Sequence, residues 1–215
     1  MKIELENVKP MEIERRSFEI ITQELREQNR KLQPGTEMIV KRCIHTSADF
    51  DYADNLWFSP GATEAALEAV KGGADIVTDT QMAKAGINKK ALEEWGGRVH
   101  CFMSDEDVAR EARQQGSTRA AASMEKAAQL GLNGIFAIGN APTALVRLYE
   151  LIQDGRLHPK LIIGAPVGFV NVVQSKELIM NAGVPCIVAR GRKGGSNIAA
   201  CICNALLYEL NGSRK

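Results

Sequence analysis

Three short apolar runs, each followed at once by a helix-like stretch, restrict the fold of this chain more than anything else in it. They are Gly134-Ile-Phe-Ala-Ile138, Lys160-Leu-Ile-Ile163 and Pro185-Cys-Ile-Val-Ala189. The helices predicted after them run from Pro142 to Gln153, from about Asn171 to Asn181, and from Ser196 to Leu210. A strand that is apolar along its whole length has both faces buried, and parallel strands need helical crossovers. Two earlier runs fit the same pattern. Ala74–Thr78 precedes helical pieces around residues 80–84 and 88–95. Arg98–Met103 precedes an acidic helix capped by Ser104 and a second helix from Ser117 to Leu130. The expectation is a three-layer α/β/α, Rossmann-like fold around a mainly parallel sheet of about five strands.

The first seventy or so residues lack this alternation. Pro10 to Gln28 reads as a helix with Met11, Ile13, Phe18, Ile21 and Leu25 on its apolar stripe and Glu12, Glu14, Arg15 and Arg16 on a solvated face. Gln33-Pro-Gly-Thr36 breaks the chain, and Thr36 can cap a second helix that leads to His45. Ser59-Pro60 reads as the cap and first position of a third helix, which ends at Gly72-Gly73. This helical N-terminal segment is expected to cross the carboxyl edge of the sheet or to reach a partner subunit. At 215 residues, the whole of 1–215 suits one domain.

A formal net charge of +1 gives no global attraction to nucleic acid or to a membrane surface. The start, Met-Lys-Ile-Glu-Leu-Glu, has no signal-like apolar stretch, and no apolar run approaches the ~20 residues of a spanning helix. The expected location is the cytoplasm. Cys43, Cys101 and Cys186 stand singly, while Cys201 and Cys203 are two apart on a helix and turned away from each other. Free buried thiols are expected, and no metal site.

Candidate chemistry lies in two places. The first is the stretch Lys41 to Ala62, where His45 ends an apolar-periodic segment and is followed by Asp49, Asp51 and Asp54. An imidazole there could be catalytic, or simply a partly solvated helix-terminal residue. His100, within a strand, reads as a satisfied core residue, and His158, before Pro159, as a surface one. The second place is the set of strand ends Gly139-Asn140, Gly164 to Val170 and Arg190-Gly-Arg192-Lys-Gly194-Gly195-Ser196. Glycine lets a backbone approach a ligand, and helix N-termini favour anions, although short turns need glycine in any case. Arg119, in the first turn of its helix, could grip a carboxylate or be merely exposed. The nucleotide fingerprints Gly-x-Gly-x-x-Gly and Gly-x-x-x-x-Gly-Lys-Ser/Thr are absent, as is the hydrolase elbow Gly-x-Ser-x-Gly.

Taken in order, several stretches together resemble one family. They are Glu14-Arg-Arg-Ser-Phe-Glu-Ile-Ile21, the His45 segment through Phe58-Ser-Pro60, Asp79-Thr-Gln-Met82, Thr118-Arg-Ala-Ala-Ala122, Ala137 to Leu145, Gly164-Ala-Pro-Val-Gly-Phe-Val170, Ser175-Lys176 and Arg190 to Ser196. The match spans nearly the whole chain and is similar to the precorrin-8X methylmutases, including the cobalt-precorrin-8 methylmutases of the anaerobic cobalamin pathway. The resemblance implies an isomerase that moves a methyl group from C-11 to C-12 of a corrin precursor, giving hydrogenobyrinic or cobyrinic acid. It implies His45 as general acid, with Ser17, Thr80 and Arg119 lining the pocket, and a homodimer with the pocket near the subunit boundary; direct transfer of product to the next enzyme is a separate possibility. The glycine turns, with Asn140, Arg190 and Arg192, are the further expected ligand contacts. Such a shift needs no redox cofactor. A nucleotide-dependent enzyme and an inactive corrinoid carrier are the alternatives.

Overall fold

The computed structural model describes residues 6–212. The extreme ends of the expected domain, 1–5 and 213–215, lie outside them, as does most of the charged start of the chain. Six strands form one sheet: β1 (Leu56–Phe58), β2 (Ile76–Thr78), β3 (Val99–His100), β4 (Ile135–Ile138), β5 (Leu161–Gly164) and β6 (Cys186–Ala189), in the order β1-β6-β5-β4-β2-β3. Five are parallel, and β1 pairs antiparallel with β6, Trp57 opposite Val188. The five parallel strands agree with the expected sheet, and β1 adds a sixth. Leu56-Trp57-Phe58 is too short to show a period of its own. Its extended form comes from pairing with β6, which Ser59 N–H continues by donating to the Cys186 carbonyl at 2.9 Å.

The helices are α1 (Ile13–Glu27), preceded by a 3-10 turn over Pro10–Glu12, α2 (Glu37–Ser47), α3 (Tyr52–Asn55), α4 (Ala62–Lys71), α5 (Gln81–Gly86), α6 (Lys89–Glu93), α7 (Glu106–Gln114), α8 (Arg119–Gln129), α9 (Pro142–Gln153), α10 (Val172–Met180) and α11 (Ser196–Leu210). Successive strand residues point to opposite faces, so each run divides between two cores. Ile135, Ala137, Ile163 and Ile187 belong to the core under α4 and α11, over which α2 and α1 lie, while Phe136, Ile138, Ile162 and Val188 belong to the core with α7 to α10. The N-terminal helices do not cross the sheet edge. α2 packs on α11 and α1 on α2, stacking a second helical layer over one face. α11 lies between the sheet and α2, which explains why nine of its fifteen residues are buried.

Local chemistry differs from expectation at several helix starts. Ser59 does not cap α4: its hydroxyl oxygen accepts from Cys186 N–H at 2.9 Å, and Gly61, at φ 73°, supplies the left-handed entry. Thr36 stands at the start of α2, but its hydroxyl donates back to the Gln33 carbonyl. Ser104 accepts from the Gln81 amide, and Asp105 occupies the position before α7. Thr80, Asn88 and Thr118 do cap α5, α6 and α8, each accepting a backbone N–H three residues on. On α1 only Ile21 and Leu25 are buried, whereas Met11 and Ile13 are exposed. Glu14, expected on a solvated face, pairs with the buried Arg42 at 3.1 Å.

Candidate active site

The parallel strands read 3-2-4-5-6 across the sheet, so the chain changes direction between β2 and β4. In open α/β sheets a ligand crevice opens at that point, beyond the carboxyl ends of the strands. Here the crevice is filled. The buried Asp79 carboxylate, just after β2, accepts N–H groups from Gly139 at 2.8 Å, Asn140 at 2.8 Å and Ala141 at 2.7 Å. Burial raises the pKa of Asp79 in spite of those three bonds. The amides at the start of α9, those of Gly139 and Asn140 included, therefore already hold an anion from the chain itself. A Cβ on Gly139 would come within 2.6 Å of Ser196 Cα, so this glycine serves contact with α11.

The other turns are likewise packed against one another. A Cβ on Gly194 would meet the Ala165 carbonyl oxygen at 2.2 Å, and Gly195 N–H donates to that oxygen at 2.8 Å. Gly164 is buried beneath Val188 and Leu145. Gly194 thus allows backbone to approach backbone. The β6–α11 turn is held from below by Lys176, a buried amine that donates to the Gly191 and Lys193 carbonyls at 2.8 and 2.9 Å. Burial lowers that amine to about 8. From the side, Lys193 bonds Asp49 and Asp51, both at 2.6 Å, in the loop that follows α2.

An open cleft of about 390 Å³ lies elsewhere, between α2 and α5 over α11. His45, exposed in the last turn of α2, lines it beside Thr46. The imidazole tilts against Phe18 of α1 with ring centroids 5.4 Å apart. At the same cleft, Arg42 is sandwiched between the rings of Phe18 and Tyr208, 5.3 and 4.8 Å from their centroids. This cation holds the α1–α2–α11 junction together. Asn197, Cys201, Asn204 and Tyr208 contribute one stripe of α11. Cys201 is free but only partly buried, which corrects the expectation of a buried thiol at that position. It accepts from the Thr46 hydroxyl at 3.1 Å. A hydrogen bond from Cys43, then Thr46 and the Arg42 charge, hold its pKa down, and the buried Cys43 is pushed up in exchange.

The remaining expected residues fall into place around these features. Ser17 precedes Phe18 on α1 and donates to the Ile13 carbonyl at 2.9 Å. Thr80 shares a 2.8 Å bond with Ser196, the neighbour of the cleft residue Asn197. Arg119 is exposed at the first position of α8. Arg192 is exposed on the β6–α11 turn. Arg190 lines a separate cleft of about 440 Å³ with Lys176 and Glu177, apart from His45. His100 is half-buried and bonded to Asp75 at 2.8 Å, and His158 is exposed. Among the described residues, no group of three or more His, Cys, Asp and Glu could hold a metal ion. Arg42, Cys201, Asn204 and Tyr208 were not singled out from sequence, yet polar residues at 197, 201, 204 and 208 form a single helical stripe on an otherwise apolar helix.

Residues 12–209 match the family model of precorrin-8X methylmutase. The chain belongs to the precorrin-8X methylmutase family. It is 46% identical over 207 residues to the cobalt-precorrin-8 methylmutase of Salmonella typhimurium, covering 94% of this chain and 96% of that one. The Priestia megaterium cobalt-precorrin-8 methylmutase is 45% identical over 202 residues, with 93% and 88% coverage. The crystal structure of a precorrin-8X methylmutase from Thermus thermophilus superposes with a TM-score of 0.84 at 39% identity, covering 94% of this chain and 99% of that one. The protein is thus a methylmutase, an isomerase of cobalamin biosynthesis. No described helix is long and apolar enough to cross a membrane.

Proposed function

We propose that the His45 cleft moves a methyl group from C-11 to C-12 of precorrin-8X or cobalt-precorrin-8, giving hydrogenobyrinate or cobyrinate. One observation carries this reading: the imidazole lines an open cleft, beside the apolar ring of Phe18, in a chain of this family. In the proposed step His45 donates a proton to the conjugated ring, the methyl migrates with its bonding electrons between adjacent carbons, and the ring returns a proton to His45, so substrate and product remain isomers. No redox change is needed, and histidine can deliver a proton near neutral pH. Ser17 and Thr80 border the bound ring. Arg119 and Arg192 take acetate or propionate carboxylates as charge-assisted hydrogen bonds. The same reading includes a single methylmutase domain over 1–215, a homodimer in the cytoplasm, and handover of product to the next enzyme.

The filled crevice at Asp79 argues against a nucleotide-dependent enzyme, because the helix N-terminus that would receive a phosphate is already occupied. The test is incubation with metal-free and cobalt-containing precorrin-8 while the visible spectrum is followed. At least one should be converted. Corrinoid bound without conversion supports the inactive carrier, and tight NAD or ATP binding without corrinoid binding supports the nucleotide reading. Moving one methyl leaves the peripheral carboxylates nearly in place, so contacts that capture substrate persist in product. Uniform binding of that kind slows release without speeding chemistry. A first turnover faster than the steady state is expected.

A further inference from the structure

The β5–α10 loop shows an arrangement that packing alone does not require. Phe169 and Val170 are each 79% exposed and Val167 is 48% exposed, on the loop between Gly164 and Val172. Single exposed apolar residues are ordinary, but these are adjacent, and the backbone beneath them is tied down. Gly168 N–H donates to the Arg192 carbonyl at 3.2 Å. Gly194 leaves no room between the β6–α11 turn and residues 165–166. Lys176 spends its buried amine on the Gly191 and Lys193 carbonyls. Burying an amine this way is costly, and what it secures is the position of the turn carrying Arg192. The Arg192 guanidinium lies 5.4 Å from the centre of the Phe169 ring. An exposed aromatic is therefore held in a set place with a cation beside it.

We propose that Phe169 and Val170, with Arg192 at their edge, form a second wall of the substrate site, against which the apolar face of the corrinoid ring packs while Arg192 meets one of its carboxylates. This rests on the function proposed above and adds residues to it. The cleft at His45, about 390 Å³, falls at the lower end of the range for drug-sized ligands and leaves most of a carboxylate-armed tetrapyrrole outside. The part outside needs a flat apolar surface bordered by positive charge, and the loop offers that pairing. Lys193 ties the same turn to Asp49 and Asp51, four and six residues beyond His45. The loop is pre-ordered, so binding does not have to immobilise it. Lys176 is then a positioning residue, acting through the turn rather than on the ring.

The test is titration of wild type, Phe169→Ala, Val170→Ala and Arg192→Ala with cobyrinic acid and with its heptamethyl ester, followed by absorbance, with sedimentation velocity run in parallel. Phe169→Ala should weaken binding of acid and ester alike by about 10–100-fold, the loss expected for one buried aromatic contact. Arg192→Ala should weaken the acid and leave the ester nearly unchanged. Lys176→Met should weaken both, with Phe169→Ala adding less in that background than in wild type. Unchanged affinity in Phe169→Ala, with wild type binding cobyrinic acid, overturns this wall while leaving the proposed function intact. A change in sedimentation with unchanged affinity overturns it in favour of a subunit contact. Failure of wild type to bind either corrinoid overturns the proposed function and this inference with it.

Discussion

The crevice at Asp79 and the cleft at His45 are opposite solutions to having an opening in a doubly wound sheet. The first sits where ligands bind in folds of this type, and the chain closes it with its own carboxylate, at three hydrogen bonds of 2.8 Å or less. The second lies off the sheet, over α11, made possible because α1 and α2 add an extra helical layer on one face. Comparing them teaches that in this chain the sheet is scaffold, and the open surface belongs to the helices stacked on it. A large flat substrate suits that arrangement, since a gap between two strands could not admit it.

The comparison can be broken most directly at His45. His45→Ala should lower kcat by about 10²–10⁴-fold, the usual contribution of a general acid, with thermal unfolding nearly unchanged because the side chain is exposed. Near wild-type spectral turnover would take His45 out of the mechanism. Asp79→Ala should do the reverse. Losing the acceptor strands three backbone N–H groups, costing about 3–5 kcal/mol of stability in urea unfolding, while the folded fraction keeps its activity. Asp79→Asn, which retains one acceptor oxygen, should fall between. A well-folded Asp79→Ala that has lost turnover would mean the crevice is chemical after all.

The smallest effect concerns the turn between the two regions. Burial lowers the Lys176 amine from 10.5 to about 8. Between those values the folded chain has released a proton that the unfolded chain still holds, so stability rises with pH across the window. The gain is complete above the unfolded value and is lost as pH falls through about 8. Thermal unfolding of wild type should therefore improve relative to Lys176→Met between pH 7.5 and 10.5. Parallel curves for the two proteins would show that the amine stays charged throughout.

Much of this was legible from local pattern. Five strands and the helices after them follow from continuous apolar runs and from the return of helical period, which neighbours along the chain set by themselves. The ordered stretches from Glu14 to Ser196 were enough to suggest the family, and the whole-chain match agrees. His45, too, was marked by its place at a helix end before an acidic loop. β1 was not legible, because three residues carry no period and become a strand only when β6 lies beside them.

Tertiary structure alone decided which polar groups are still available to a ligand. Gly139 and Asn140 look like an anion site in sequence, and Asp79, some sixty residues away, has taken it. Cys201 looks like a core thiol until Thr46, 155 residues earlier, places it at the edge of the cleft. Helical and strand periods are properties of neighbouring residues, so the sequence alone determines them. Whether a donor or a thiol is spent or free depends on contacts across α2, α11 and the two central turns. Those exist only once burial of the two cores has brought distant segments together.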